Sequence, residues 1–234
     1  MRGNIRAVIF DLGGVLVGFK GNAFVPQTGS YVPMHNNLDW TDERVFEQER
    51  LFELGKLSPR EFYKRILPLM KTKVPFSGFV SEWADFFVYR PQAIRLLKKL
   101  KAHGYKIGIL SNTNITQYNA ITSHYGLESI ADAIALSFRV GSKKPEKEIF
   151  EAAAKGLREA PENCVYIDDL QKYADAARGY GFNAIQFKNP KQLEKELFAL
   201  GIPGKRIARK PLQGRKQQKK TRRVFAKPRA FRRV

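Results

Sequence analysis

The sequence predicts an α/β protein: a parallel β-sheet covered by helices on both faces. Three observations predict it. Short apolar, β-branched runs recur at 7–10, 105–110, 133–136, 164–167 and 183–187, each the length of a buried strand. From residue 91 onward, segments with apolar residues at helical spacing separate these runs. The connections between them are short, as in strand–helix–strand units.

Composition sets the bounds. The chain has 234 residues, 43% of them hydrophobic and 12% aromatic, enough for one sizeable core. Cys164 is its single cysteine, so no internal disulfide forms and a reducing compartment is expected. No apolar run reaches membrane-spanning length. Arg2 and Arg6 lead straight into a strand, without the pattern of a signal peptide. The expectation is a cytoplasmic protein. The formal charge of +20 is unevenly spread: residues 201–234 hold 14 Lys or Arg and no acid, leaving 28 basic and 22 acidic residues before them.

In chain order, the apolar run 7–10 forms the first strand and ends on Asp11. Residues 18–38 are rich in Gly, Pro, Asn and Gln and read as a loop or insertion. Thr41 opens a helix as N-cap, with Val45, Phe46, Glu49, Leu51 and Phe52 on its inner face and Gly55 just past its end. Ser58 and Glu61 have capping-box spacing around Pro59, and that helix is expected to continue past Pro68. A third helix is expected over about 76–88. Residues 18–90 thus read as a small helical unit inserted into a core made of 1–17 and 91–200. Within that core, helices are expected from Pro91, near 116–124, from Pro145, and over about 171–180 and 190–199.

Four strand ends or following turns carry polar groups: Asp11, Ser111-Asn112, Lys144 and Asp168-Asp169. In a parallel sheet these ends share one edge, where open α/β sheets place their sites. Any one of them alone reads as a turn residue. Together they suit phosphoryl transfer. The carboxylates can hold Mg²⁺, Ser111 and nearby amides can hold phosphate oxygens, Lys144 can neutralise charge, and Asp11 can attack phosphorus.

In this order the segments resemble the haloacid dehalogenase superfamily of phosphohydrolases. Phe10-Asp11-Leu12-Gly13-Gly14-Val15-Leu16 resembles its first motif and Ile109-Leu110-Ser111-Asn112 its second. Lys144-Pro145-Glu146-Lys147-Glu148-Ile149-Phe150 resembles the third and Val165-Tyr166-Ile167-Asp168-Asp169 the fourth. The similarity covers about residues 4–200. It is closest to the branch with a helical cap between motifs one and two, which holds sugar-phosphate phosphatases such as glucose-1-phosphate phosphatase. The resemblance implies a Rossmann-like core and catalysis through an aspartyl-phosphate on Asp11. It implies Mg²⁺ on Asp11, the Gly13 carbonyl, Asp169 and the neighbouring Asp168. It also implies phosphate on Ser111, Asn112 and Lys144, with Lys143 not the family's lysine.

Two positions depart from the family pattern. Gly13 stands where most members have a general acid, and Tyr173 where an Asn or Asp supports the metal. A placed general acid is typically worth 10²–10⁴-fold, roughly 3–5 kcal/mol. The expected function is therefore a Mg²⁺-dependent hydrolase of a small phosphomonoester. The alternative is a weak or inactive member serving as an RNA-binding or scaffold protein.

The tail, 201–234, has too few apolar residues to fold alone. Arg215, Lys216, Lys219, Lys220, Arg222 and Arg223 are candidate phosphate contacts for RNA or the ribosome, and Phe225 and Phe231 can stack on unpaired bases.

Overall fold

A computed structural model describes residues 4–20, 38–85 and 87–202, with the backbone of two short strands at 24–25 and 30–31. The basic tail lies outside the described residues, with Arg215, Lys216, Lys219, Lys220, Arg222, Arg223, Phe225 and Phe231.

Five strands form one parallel sheet: β1 (Ala7–Phe10), β6 (Lys106–Ser111), β7 (Ala133–Leu136), β8 (Cys164–Asp168) and β9 (Asn183–Gln186), in the order β7-β6-β1-β8-β9. All four residues of β1 are fully buried, because helices cover both faces of the central strand. Side chains alternate across a strand, and β1 divides accordingly. Val8 and Phe10 enter a cluster with Ile107, Ile109, Val165 and Ile167 under α4 (Pro91–Ala102) and α10 (Pro190–Ala199). Ala7 and Ile9 face the other way, with Tyr166, Phe150 and Leu157, under α8 (Lys147–Leu157) and α9 (Gln171–Gly179). Burying each large β1 side chain contributes roughly 1.5–3 kcal/mol.

The connections run outward from β1 in both directions, so the strand order reverses beside it. Such a switch point splays the loops at the carboxyl ends of the strands and opens a crevice. Asp11 follows β1 there, Asp168 ends β8, and Ser111 ends β6.

The insertion leaves and rejoins the core through an antiparallel pair, β2 (Val17–Phe19) and β5 (Phe87–Tyr89). Between them lie β3 (Phe24–Val25) and β4 (Ser30–Tyr31), then α1 (Glu43–Glu53), α2 (Pro59–Ile66) and α3 (Phe76–Ala84). The helices share an aromatic cluster in which Phe52 stacks on Phe62 at 4.5 Å and Trp83 meets both.

Local chemistry explains where these elements differ from expectation. Asp42, not Thr41, caps α1, its carboxylate accepting from the Arg44 N–H at 2.9 Å. Pro68 cannot donate within a helix, so α2 stops at Ile66 and a 3₁₀ turn, Leu67–Leu69, follows. The third helix ends at Ala84, because Phe87 turns inward and Val88 outward as strand β5. The helix expected from Pro145 begins at Lys147. The Ser58–Glu61 capping box forms as expected.

The remaining elements are α5 (Ile115–Tyr125), α6 (Leu127–Ile130) and α7 (Ser137–Val140), with a 3₁₀ turn at Pro161–Asn163. Among the described residues, no helix is long and apolar enough to cross a membrane.

Cys164 opens β8 fully buried, its thiol donating to the Ala160 carbonyl at 3.4 Å. Burial pushes the thiol up to about 12, because a thiolate there would be poorly solvated. The thiol is therefore expected to resist alkylation at pH 8 in the native protein and to label rapidly in denaturant. Its neutral form stabilises the fold up to about pH 9, the ordinary thiol value, and that contribution fades as pH climbs towards 12. Mass-spectrometric labelling checks this; fast native labelling would show an open strand end.

Candidate active site

Three strand ends build the site. Asp11 follows β1, and its backbone N–H continues the ladder to the Ile167 carbonyl at 2.8 Å. Its Oδ1 accepts from the Leu12 N–H at 2.7 Å. Its Oδ2 lies 2.9 Å from Lys144 Nζ. Lys144 Nζ also donates to Asp168 Oδ2 at 2.7 Å. The ammonium is 2% exposed, so burial alone would strip its charge. Asp11 and Asp168 outweigh that and raise its pKa. Burial, with Asp168 and Asp169 nearby, pushes the Asp11 carboxyl well up against the pull of Lys144.

Asp168 is fully buried and fully engaged. Besides Lys144, its Oδ2 accepts from the Tyr166 hydroxyl, and its Oδ1 from the Leu170 N–H at 2.9 Å. This carboxylate is the anchor for Lys144. Asn112 holds the same lysine by its peptide: Oδ1 accepts from the Lys144 N–H at 2.7 Å, and Nδ2 donates to the Lys144 carbonyl at 3.1 Å. Asn112, expected at phosphate, uses its side chain to position Lys144. Ser111 is buried at the end of β6, its hydroxyl donating to the Asn112 carbonyl at 3.3 Å. The loop after it is pinned by Thr113 and Ser137, which exchange hydrogen bonds of 3.0 and 2.9 Å.

Asp11, Asp168 and Asp169 each offer an oxygen within 4.8 Å of the others. Three carboxylates against one ammonium leave excess negative charge, and every donor is a hard oxygen. That set fits a divalent cation such as Mg²⁺. Gly14 makes room for it. Its φ is +72°, and a Cβ there would lie 2.2 Å from the Asp169 carboxyl carbon. The Arg90 guanidinium donates to the Gly14 carbonyl and lies 5.8 Å from the Phe187 ring centroid, bracing the loop from behind.

The two departures acquire structural explanations. A Cβ at Gly13 would meet Phe19 Cζ at 2.7 Å, and Phe19 packs on Phe87 at 5.9 Å. An aromatic pair occupies the space beside position 13. Tyr173 sits over the Lys144 ammonium, 4.7 Å from ring centroid to nitrogen. Burial pushes its phenol up to about 12, so it stays neutral and shields the lysine without answering its charge.

These residues surround a cavity of about 40 Å³ reached also by Glu53 from α1. Sequence reasoning missed Glu53, Arg90 and Tyr166. Glu53 shows no spacing tied to a strand end. Arg90 precedes Pro91, which drew attention only as a helix start. Tyr166 reads as a plain strand residue.

A profile of haloacid dehalogenase-like hydrolases matches residues 5–181. The chain belongs to this hydrolase family. Among its relatives, a glyceraldehyde 3-phosphate phosphatase of Pyrococcus furiosus is 32% identical over 205 residues, 82% of this chain and 85% of that protein. A D-ribitol-5-phosphate phosphatase of Bacteroides thetaiotaomicron is 26% identical over 208 residues, 82% and 97% of the two chains. A hydrolase of Schizosaccharomyces pombe is 32% identical over 142 residues, 55% of this chain and 62% of that one. A haloacid dehalogenase-family enzyme of Bacteroides thetaiotaomicron, solved as its magnesium complex, shares the fold: TM-score 0.68, 24% identity, 80% and 94% coverage.

Asp168→Asn is expected to destabilise the protein by about 3–5 kcal/mol, because it leaves the buried Lys144 with half its counter-charge. Urea denaturation measures it. A loss under about 1 kcal/mol would mean that Asp11 alone suffices to hold the ammonium.

Proposed function

We propose that this hydrolase cleaves small phosphomonoesters through an aspartyl-phosphate on Asp11, with Mg²⁺ bound by Asp11, Asp169 and the Gly13 carbonyl. The single observation that carries the reading is the buried Lys144 ammonium fixed between Asp11 and Asp168, with Asp169 alongside. Asp11 Oδ attacks phosphorus in line with the departing ester oxygen. Lys144, already held by two carboxylates, carries positive charge to the transferring phosphoryl group without needing to reorganise. Ser111, at the adjacent strand end, supplies a hydroxyl to a phosphoryl oxygen. Mg²⁺ would supply further charge compensation for phosphate oxygens beside Asp11. Water then attacks phosphorus and releases Asp11. Residues 18–90 serve as a cap whose α1 and neck aromatics close the cavity. The relatives that act on glyceraldehyde 3-phosphate and ribitol 5-phosphate favour a short phosphorylated sugar or polyol as substrate.

Wild-type protein is expected to hydrolyse p-nitrophenyl phosphate with Mg²⁺, to stop with EDTA, and to lose at least about 10³-fold in rate in Asp11→Asn, which keeps the shape but removes the nucleophile. Equal rates for wild type and Asp11→Asn, or indifference to EDTA, would refute the mechanism and favour a non-catalytic role.

We assign the tail separately to polyanion binding, RNA first. Fourteen basic residues and no acids in 34 positions support this. If roughly six to eight charges neutralise phosphates, affinity should fall by about 10³ or more between 50 and 200 mM salt. Phe225→Ala and Phe231→Ala should weaken single-stranded RNA more than duplex. Filter binding of full-length protein and a chain ending at Leu200 checks this. RNA affinity surviving truncation would move the binding surface elsewhere.

A further inference from the structure

Position 13 carries no acid, yet an alkoxide leaving group needs a proton. Two glutamates of α1 lie one turn apart, at i and i+4, so they share a face. Both are buried: Glu49 is 2% and Glu53 3% exposed. Glu53 ion-pairs with Lys143, and Glu49 lines a cavity with the same lysine, so two buried carboxyls share one ammonium, a balance that favours keeping one of them protonated. Glu53 lines the reaction cavity with Asp11, Gly13 and Lys144. Glu49 lines a second cavity, of about 330 Å³, together with Lys143 and Tyr173. The pair, one turn apart on α1, therefore reaches both spaces.

We propose that Glu49 and Glu53 form a proton relay that delivers the leaving-group proton from the outer cavity to the reaction cavity, replacing the acid lacking at Gly13. The inference rests on the phosphoesterase reading above. As the ester P–O bond breaks and the Asp11–phosphorus bond forms, the ester oxygen takes the pair's one proton from Glu53, leaving both glutamates ionised beside Lys143. When water attacks the aspartyl-phosphate, the Asp11–phosphorus bond breaks, both hydrogens of the water leave on the phosphate, and the proton that the released phosphate sheds to solvent re-enters the pair from the outer cavity through Glu49. The cycle consumes one water and one phosphomonoester and yields alcohol and phosphate.

The surroundings suit a single shared proton. The Lys143 ammonium, 15% exposed, ion-pairs with Glu53 Oε2. Burial works against its charge, but Glu53 and Glu49 outweigh that and raise its pKa. Lys143 thus balances one negative charge, and the second carboxyl stays protonated. Burial and the neighbouring Glu53 keep Glu49 well above the ordinary carboxyl value. Among the described residues, Arg50 on α1, Lys144 and Glu146 on the facing turn, and Lys172 and Tyr173 on α9 line the second cavity with Glu49, and Asp11 and Asp169 line the first with Glu53.

The test compares two esters on the same protein. Nitrophenolate leaves without a proton, whereas the alkoxide of ribitol 5-phosphate does not. For wild type, kcat/KM on the alkyl ester should decline as pH rises through the titration of Glu49, held above the ordinary carboxyl value by burial, and the aryl ester should lack that limb. Glu53→Gln should cut kcat on the alkyl ester by about 10²-fold or more, change the aryl rate by less than about threefold, and abolish the alkyl limb. Glu53→Asp should restore part of the alkyl rate. Glu49→Gln, which keeps the side chain's shape but carries no acidic proton, should repeat the selective loss and decides the matter if Glu53→Gln does not fold. The ratio of the two rates is independent of the folded fraction. Equal losses on both esters, or a wild-type alkyl profile without its own limb, would reduce the pair to a packing role and overturn the relay. Loss of all Asp11-dependent aryl turnover in wild type would instead overturn the phosphoesterase reading beneath it.

Discussion

A lysine ammonium buried between two carboxylates costs several kcal/mol in desolvation and persists only if its partners are held in place. Lys144 meets that condition through three strand ends at once. β1 delivers Asp11, β8 delivers Asp168, and Asn112 after β6 grips the Lys144 peptide on both sides. Tyr166 and the Leu170 N–H fix Asp168 in turn. None of these contacts survives a slip of the sheet, since one residue of register turns every side chain to the opposite face. The site is thus a consequence of register, and register is set by the buried alternation of β1 between two helical layers.

Adjacent glycines in the first turn serve different purposes. Gly14 is required by its own backbone, with positive φ, and by the Asp169 carboxyl that occupies the place of its side chain. Gly13 has no such φ; its neighbour Phe19 is what fills the space. Replacing Gly13 by an acid therefore asks Phe19 to move, and with it the Phe19–Phe87 contact across the β2–β5 neck.

Much of the core was legible because polar residues at strand ends break an otherwise apolar pattern, and Asp11, Ser111 and Asp168-Asp169 all do so. What stayed hidden needed three-dimensional neighbours. Asn112 carries the right chemistry for phosphate, and only its distance to the Lys144 peptide reveals another use. Phe87, at the end of an apolar run, was read as helix because three residues are too few to show alternation. Glu49 did leave a signal: it falls on the inner face of α1 among Val45, Leu51 and Phe52, where a carboxylate is costly without a partner. Lys143, which ion-pairs with Glu53 one turn further on, lies 90 residues along the chain from it, and in the sequence it is only the lysine that does not directly precede Pro145.

The two lysines divide one turn between two carboxylate sets. Lys144 points into the sheet edge, to Asp11 and Asp168, and Lys143 points to Glu53 on α1. One dipeptide therefore ties the inserted helices to the catalytic strands. Drawing α1 away would separate Lys143 from Glu53 and leave buried charge on both sides, a cost of about 3–5 kcal/mol unless water enters at once. The neighbouring 330 Å³ cavity, lined by Glu49, Arg50 and Lys172, is where that water would enter. The Lys143–Glu53 pair accordingly fastens α1 to the turn that carries Lys144. A dry, low-dielectric cavity strengthens every charge–charge interaction inside it, those of Lys144 with Asp11 and Asp168 included.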